Sequence, residues 1–407
     1  MTNMDTSVVF QSVVERMMKS KDIENYKFEI DGGTAKSDGF IGDVIFFNIQ
    51  HESEKEHLVL KTAKTGETIR KRIDADTAYD REICMYTKVL PALEQFTRRK
   101  GLSVIPSFIP KVLFNFKESL VMENLKMRGF HMWNKNKMMG MAHIKLLFEN
   151  YGVWHGITMA FKDQQPDEFS SCVQGWIDSR FSLNKAFGLT THFSREFSEV
   201  LKLLAEKGRH DLVDVYKKFE GRIDDYVYRR DLPERDMLII SHGDAWCNNF
   251  LFKYKDGEKQ SQPNQVYFLD FQLSRPESPA TEISSVLYNM GDRECFENFQ
   301  NLLSVYHDKL SETLRSLGSD PDKLFPMDIL KRHLGQYAFF SVLHSFIYTR
   351  VAQCQLDEAP DLGEMAENGK DLDGAFAFGL KNMELFWERI LEVFIHYGEI
   401  LKQCSNK

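Results

Sequence analysis

The spacing of hydrophobic residues separates a strand-rich first part of the chain from a helix-rich second part. Near the start, Val9, Val13 and Met17 recur at i, i+4 and i+8, a spacing that predicts an amphipathic helix. From about Phe28 to Lys61 the pattern changes to β-branched and aromatic runs separated by a charged turn, which predicts strands. Two further short strands are predicted within the segment KVLFNFKESLVMENL.

One helix is predicted between these two groups of strands. The segment DTAYDREICMYTKVLPAL begins with Asp76 as a candidate N-cap and contains Pro91, at which we expect the helix to end. An opening helix, several strands, this helix and two more strands predict a compact first lobe over residues 1–125.

Residues 126–407 have mainly helical periodicity. Two segments, DLVDVYKKFEGRIDDYV and the C-terminal MELFWERILEVFIHYGEIL, are predicted to be amphipathic helices, and the first has a buried stripe of Leu212, Val215, Phe219, Ile223 and Tyr226. The strand-rich stretch 237–271 interrupts the pattern, and its polar centre YKDGEKQSQPNQV is expected to join two antiparallel strands. We therefore predict an α+β fold whose second lobe is helical and contains one β-hairpin.

Composition narrows the classes of function. The 407 residues are 43% hydrophobic and carry a net charge of −8, so there is no basic surplus for binding nucleic acid. The six cysteines form no C-x-x-C pair, which favours a reducing compartment without disulfides or a zinc knuckle. The longest apolar stretch, Ala338 to Tyr348, is shorter than the roughly 20 residues of a membrane span and predicts a buried helix. With no basic signal segment at the start, we expect a cytoplasmic protein.

The stretch SHGDAWCNNF places several hydrogen-bonding side chains between two apolar runs. Asp244 and Asn249 are five residues apart around a tight turn, and Asp270 follows the apolar strand of VYFLDF. Carboxylate and amide oxygens suit Mg²⁺, and in kinase-type phosphoryl transfer one further aspartate acts as the base. The alternative is an Asx-rich hairpin turn with a solvated aspartate. The chain has no G-x-S-x-G or H-E-x-x-H motif, so serine hydrolases and zincins lack support.

Partners for this hairpin occur in the first lobe. The run HLVLK ends a strand at Lys61, and Glu82 lies in the helix that follows. Each alone is typical of a surface charge, but in this order they predict a phosphate-binding lysine and its ion-pair partner. The run LVMENL, with Glu123 and Leu125, lies where an adenine-binding connection is expected; taken alone, it is an edge strand that leads into a turn.

The two stretches SHGDAWCNNFLFKY and VYFLDFQLSRPESPATEISSVL resemble the ecdysteroid-kinase-like family, also called CHK kinase-like. This family belongs to the wider group of choline kinases and aminoglycoside phosphotransferases. The resemblance extends from Lys61 to Tyr288. It implies a two-lobed protein-kinase-like fold, and an enzyme that transfers the γ-phosphate of ATP to the hydroxyl group of a small molecule.

Carried over by position, the resemblance also implies roles for single residues. Asp244 becomes the catalytic base, and Asn249 and Asp270 become Mg²⁺ ligands. Lys61 becomes the phosphate-contacting lysine, with Glu82 as its partner. His242 is expected to brace the catalytic loop.

The chain departs from the family pattern at two places. Its first lobe has no G-x-G-x-x-G motif. The expected phosphate-covering loop is therefore assigned to Ser37 to Gly42 from its position and its glycines alone. Glu282 stands where relatives often have aspartate, which is expected to shift a structural hydrogen bond. Neither change removes a residue that the chemistry needs, so activity is expected.

Three further features have open interpretations. Trp246 is expected to pack in the core rather than contact substrate, and His155 to be a core or cleft histidine rather than a ligand. The acidic segment 357–373, with seven carboxylates and one lysine, is expected to be a solvated loop. Its alternative role is to line the substrate cleft and attract cationic groups.

The leading hypothesis is an ATP- and Mg²⁺-dependent kinase for a hydroxyl of a steroid-like or xenobiotic acceptor. A choline or ethanolamine kinase is the alternative enzyme. A pseudokinase that binds ligand without turnover is the alternative from another class.

Overall fold

The computed structural model describes residues 2–33, 42–52, 54–63, 70–71, 73–102, 107–176, 179–228, 234–255, 262–355, 365, 368, 372 and 374–405. Of the expected phosphate-covering loop, only Gly42 is among them. The acidic segment 357–373 lies outside the described residues except for Met365, Asn368 and Leu372, and so does the centre of the polar loop, 256–261.

The first lobe is built on one five-stranded sheet in which all neighbouring strands are antiparallel. Its order is β1-β2-β3-β5-β4, and it confirms the predicted strands. The strands are β1 (Lys27–Gly33), β2 (Gly42–His51), β3 (Glu54–Ala63), β4 (Val112–Phe116) and β5 (Ser119–Glu123). The predicted opening helix is α1 (Thr2–Ser20), and its buried residues pack on one face of this sheet.

Strand β3 presents different side chains to the two faces of the sheet. Leu58 and Leu60 are buried against α1. Because successive side chains of a strand point to opposite faces, Lys61 lies on the other face. That face receives the helix α2 (Ala75–Cys84), which carries Glu82.

Two details of the predicted helix are wrong. The N-cap residue is Asp74, and Asp76 lies within the first turn. The chain does not leave the helical path at Pro91, since a π-helical segment (Met85–Val89) leads directly into α3 (Leu90–Arg99). Pro91 is the second residue of α3 and directly follows the π-helical segment, so the helical path continues past the proline instead of ending there.

The second lobe is mostly helical, which confirms the α+β prediction. Its α-helices are α4 (Met141–Gln164), α5 (Pro166–Val173), α6 (Ser179–Ala186), α7 (Leu189–Glu206), α8 (His210–Tyr216), α9 (Ile223–Val227), α10 (Pro279–Met290), α11 (Arg293–Glu297), α12 (Phe299–Leu317), α13 (Pro321–Leu324), α14 (Met327–Tyr337), α15 (Phe339–Gln353) and α16 (Met383–Ser405). The apolar stretch predicted to be a buried helix lies mostly in α15. Among the described residues, no helix is both long and apolar enough to cross a membrane.

The predicted helix around residues 211–227 is broken into two. Its stripe is largely buried, as expected, but α8 ends at Tyr216 and α9 begins at Ile223. Between them Gly221 has a φ of 70°, which a right-handed helix cannot contain. Periodicity therefore predicted correctly which residues are buried, but it wrongly predicted one continuous helix.

The predicted hairpin is present within this helical lobe. Strands β8 (Phe250–Tyr254) and β9 (Pro263–Phe268) pair antiparallel, and the short β6 (His131–Met132) adds a third strand beside β8. A second ladder joins β7 (Ile239–Ile240) to β10 (Pro276–Glu277). Together these ladders hold the segments before and after the hairpin, which contain the candidate site residues.

Candidate active site

Three charged side chains from different elements meet where the two lobes face each other. The Nζ atom of Lys61 lies 2.9 Å from Oε1 and 2.8 Å from Oε2 of Glu82. The same Nζ lies 2.9 Å from Oδ1 of Asp270. The lysine and glutamate that the sequence paired are therefore in contact, and the second-lobe aspartate joins them.

The protonation of this group follows from its burial and its charges. Burial works against the charge of Lys61, but the carboxylates of Asp270 and Glu82 outweigh it and raise the lysine pKa. Burial raises the pKa of Glu82 to about 7, against the opposing effect of the lysine. Lys61 thus remains a cation at neutral pH, which a phosphate-binding lysine requires.

Asp244 is held on both sides of its carboxylate. Oδ2 accepts a hydrogen bond from Nδ2 of Asn249 at 2.9 Å, and Oδ1 accepts one from the hydroxyl of Tyr348 at 2.6 Å. Burial raises the pKa of Asp244, and the hydrogen bonds from Tyr348 and Asn249 oppose that shift. The side chain is therefore a partly buried carboxylate that is stabilised by two hydrogen bonds, which suits a general base.

His242 joins the two halves of the motif. Its Nε2 donates to the carbonyl oxygen of Leu269 at 2.6 Å, and its Nδ1 accepts from the backbone N–H of Asp244 at 3.3 Å. The ring is fully buried. The ring therefore connects the backbone of Asp244 to that of Leu269, the residue before Asp270, and the bracing role implied by the resemblance stays a prediction.

The glycine of the motif is required by close packing. Gly243 has a φ of 89°, and a Cβ atom there would lie 2.0 Å from the carbonyl oxygen of Leu273. Any other residue would push the catalytic loop away from the segment after Asp270.

Glu282 anchors the same loop from α10. Its Oε2 accepts from the backbone N–H of His242 at 3.0 Å, and its Oε1 accepts from that of Gly243 at 2.8 Å. His155 donates to Oε2 through Nε2 at 2.9 Å, while its Nδ1 lies 2.8 Å from the hydroxyl of Tyr306. The sequence marked Glu282 only as a departure. In the structure, its carboxylate spans the loop and a buried histidine.

The candidate metal ligands lie at adjacent ends of the hairpin. The backbone N–H of Leu269 donates to the carbonyl oxygen of Asn249 at 2.9 Å, so Asn249 is a direct neighbour of the segment that carries Asp270. The Nδ2 atom of Asn249 is used by Asp244, which leaves its Oδ1 as an oxygen donor. An amide oxygen beside a carboxylate fits Mg²⁺, which takes few protein ligands and keeps several positions for water and phosphate.

The expected adenine-binding connection follows β5. The carboxylate of Glu123 accepts from the backbone N–H of Lys111 at 2.9 Å and from Nη1 of Arg128 at 2.7 Å. Leu125 is buried and begins a short 3₁₀-helix. Within the described part of the chain, no side-chain hydrogen bond or ion pair joins either one to Lys61 or Asp244, so their role stays a prediction.

An apolar cavity of about 150 Å³ opens beside Asp244. Its described wall includes Leu183 on α6, Leu189 on α7, and Ile347 and Val351 on α15, together with Phe187 and Phe376. Trp246 also lines it, and packs against Tyr348 with a ring-centroid distance of 6.0 Å. Sequence reasoning missed the aliphatic and phenylalanine side chains of this wall because, unlike Asp244 and Trp246, they belong to no motif.

Charge is sparse in the described wall of the cavity. In this wall Asp244 is the one carboxylate, and Arg180 is the one side chain with a permanent positive charge. Arg180 lies over the ring of Phe340 and 3.6 Å from Glu277. The described wall therefore offers an apolar ligand a matching surface, and offers a cation one carboxylate together with the aromatic rings of the wall.

Comparison with known proteins gives one family. The sequence model of the ecdysteroid kinase-like family matches residues 42–319 of the chain. Curated protein sequences contain no match. The matched range includes every candidate site residue, from Lys61 to Asp270.

Solved structures of low similarity are also found. A complex of the aminoglycoside phosphotransferase APH(2")-IIIa with GDP and kanamycin has 14% identity and a TM-score of 0.43, and covers 92% of this chain and 97% of that chain. An ethanolamine kinase of Plasmodium vivax has 14% identity and a TM-score of 0.39, with 95% and 85% covered. A GDP complex of a mutant aminoglycoside 2'-phosphotransferase-IIIa has 13% identity and a TM-score of 0.40, with 94% and 96% covered.

Proposed function

The chain belongs to the ecdysteroid kinase-like family, and on that premise we propose that it is an ATP- and Mg²⁺-dependent kinase of an apolar alcohol. The observation that carries the proposal is the apolar cavity with Asp244 in its wall. A hydroxyl group in this cavity lies next to a carboxylate that can accept its proton.

The proposed reaction is an in-line phosphoryl transfer. Asp244 accepts the proton of the acceptor hydroxyl, and the hydroxyl oxygen forms a bond to the γ-phosphorus of ATP. The bond between that phosphorus and the β–γ bridging oxygen breaks, and ADP leaves with the electron pair. Asn249 keeps the carboxylate in place during the transfer. Most of the catalysis in such reactions comes from positioning and from neutralising charge.

Positive charge on the nucleotide side comes from the chain and from the metal. Lys61 would contact the phosphates while Glu82 keeps the lysine in position. Asn249 and Asp270 would hold Mg²⁺, which neutralises charge on the β- and γ-phosphates when bound. Glu123 to Leu125 would form the connection beside the adenine.

The acceptor is proposed to be apolar and steroid-like or xenobiotic, not choline or ethanolamine. Apolar alcohols match the leucine, isoleucine, valine and phenylalanine side chains of the described wall. A quaternary or primary ammonium group would need carboxylates or an aromatic cage. The described wall contains four aromatic side chains, Phe187, Trp246, Tyr348 and Phe376. Its one carboxylate, Asp244, is the proposed base and already accepts hydrogen bonds from Tyr348 and Asn249, so choline is the alternative acceptor that the assay has to test.

The test is phosphate transfer from Mg²⁺-ATP to three acceptors assayed separately: ecdysone, 4-nitrophenol and choline. We expect phosphorylated product with ecdysone or 4-nitrophenol, no product with choline, and strongly reduced product formation by Asp244→Ala. Efficient transfer to choline alone would overturn the proposed acceptor class.

A pseudokinase is the remaining alternative. The intact set of Lys61, Glu82, Asp244, Asn249 and Asp270 favours turnover. Measurements of Mg²⁺-dependent ATP binding and of ATP hydrolysis separate the two cases. Absence of binding at millimolar nucleotide would rule out the kinase, and binding without hydrolysis or transfer would indicate the pseudokinase.

A further inference from the structure

Tyr348 contacts the candidate base from a distant part of the chain. It lies on α15, and its hydroxyl donates to Oδ1 of Asp244 at 2.6 Å. No motif of the sequence includes Tyr348, and the reaction scheme of kinases does not require a tyrosine at this point. The contact therefore calls for an explanation specific to this chain.

The geometry of the carboxylate suggests what the contact does. Asn249 holds Oδ2 from within the catalytic loop, and the same Nδ2 also donates to the backbone oxygen of Asp244 at 3.0 Å. One bond leaves a carboxylate free to rotate about its Cβ–Cγ bond, whereas a second bond to the other oxygen fixes its plane. An ionised carboxylate accepts about four hydrogen bonds, so room remains for an acceptor hydroxyl.

The helix face that carries Tyr348 is turned toward the cavity. His344, Ile347, Tyr348 and Val351 follow one another at i, i+3, i+4 and i+7, and all four line the cavity. Residues at this spacing share one face of a helix. The tyrosine therefore contacts the proposed base and also lines the cavity proposed to hold the acceptor.

We propose that Tyr348 is a positioning residue of the reaction. Its hydroxyl sets the plane of the Asp244 carboxylate, and its ring forms the wall against which the acceptor hydroxyl is placed. This inference rests on the proposed function, because it assumes that Asp244 is the base.

The test compares Tyr348→Phe with the unchanged protein. The substitution keeps the ring that packs on Trp246 and removes only the oxygen. Loss of a hydrogen bond to a charged group typically changes a rate constant by roughly 10- to 100-fold if the bond acts in the transition state, so kcat should fall by that factor. The assay measures ADP release from Mg²⁺-ATP with ecdysone and, separately, with water as the acceptor. The KM for ATP and the melting temperature should change little.

Tyr216→Phe is the matched control. Tyr216 is fully buried, and its hydroxyl donates to the carbonyl oxygen of Phe394 at 2.6 Å, away from the candidate site. The control should leave kcat unchanged, since its hydroxyl has no contact with Asp244. A loss of kcat in both variants would point to folding and not to positioning.

A double variant separates this inference from the proposed function. If Tyr348 acts through Asp244, then Tyr348→Phe in the Asp244→Asn background should cause no further loss. Three outcomes would each overturn the inference. The first is an unchanged kcat in Tyr348→Phe, and the second is a loss of kcat that is equally large in the Asp244→Asn background. The third is a rise of kcat, which would mean that the tyrosine had blocked the base. Full activity of Asp244→Asn alone would instead overturn the proposed base.

Discussion

The nucleotide side and the acceptor side of the candidate site are built in opposite ways. On the nucleotide side, Lys61, Glu82 and Asp270 are joined by ion pairs of 2.8 to 2.9 Å between two lobes. On the acceptor side, a cavity of about 150 Å³ is walled mainly by aliphatic and aromatic residues of α6, α7 and α15.

The difference follows from what each kind of interaction demands. A buried charge that loses its partner is strongly destabilised, so each member of an ion pair must keep its identity and place. An apolar wall needs only suitable volume and shape, and several residues supply that equally well. The chemical side is therefore tied to particular residues, whereas the acceptor side is free to vary.

The largest effect is expected at the junction of the two sides. Asp244→Ala should reduce turnover by about 10²–10⁴, the range for loss of a general base, with ATP affinity nearly unchanged. Steady-state kinetics and calorimetric ATP binding measure the two quantities. Asp214→Ala, an exposed change on α8, serves as the control. A loss of ATP affinity as large as the loss of turnover would place Asp244 on the nucleotide side.

The next effect concerns the shared metal site. Asp270→Asn removes the charge that would face the cation, so activity should fall by roughly 10²-fold or more and the Mg²⁺ requirement should rise. Asn249→Ala should also lower activity. Asn249→Ala also removes the hydrogen bond to Asp244, so only part of its loss would act through the ion. That shared part should make the loss in the double variant smaller than the product of the single losses. The measurement is activity as a function of Mg²⁺ concentration. If the loss in the double variant equals the product of the two single losses, the two residues act independently and do not share one ion.

A smaller effect is expected from filling the acceptor cavity. Val351→Phe adds volume to the wall and should clash with a bound acceptor. If this overpacking weakens acceptor binding by roughly 1–2 kcal/mol, the KM for the acceptor should rise by about 5- to 30-fold. The KM for ATP should stay constant. Val213→Phe, at a partly buried position on α8, is the control. A change confined to the ATP KM would mean that the cavity does not hold the acceptor.

The smallest effect is expected at the adenine connection. Glu123→Ala breaks a partly exposed pair with Arg128, so the KM for ATP should change by less than about threefold. Glu118→Ala, which breaks a comparable pair with Arg70, is the control. An increase of more than about tenfold in the ATP KM for Glu123→Ala alone would show direct contact of its side chain with nucleotide.

Local pattern was enough to predict most elements of the fold. Runs of β-branched and aromatic residues predicted strands in the first lobe, and apolar runs on either side of a polar loop predicted the β8–β9 hairpin, because these signals depend only on neighbouring positions. The same locality explains the errors. Pro91 is compatible with both the end and the start of a helix, and only the π-helical segment before it decided the outcome. At Gly221, the buried stripe continued through a break in the helix.

Within the site, the motifs were sufficient for residues that are close in sequence or carry an obligatory charge. They identified Lys61, Glu82 and Asp270, which the structure brings together. They did not identify the contact of Tyr348 with Asp244, across 104 positions, or that of His155 with Glu282, across 127. A tyrosine or histidine on an apolar helix has the same local pattern whether it fills the core or contacts a catalytic loop. Only the packing of α4, α10 and α15 around the hairpin decided which of these side chains reach the candidate base and its loop.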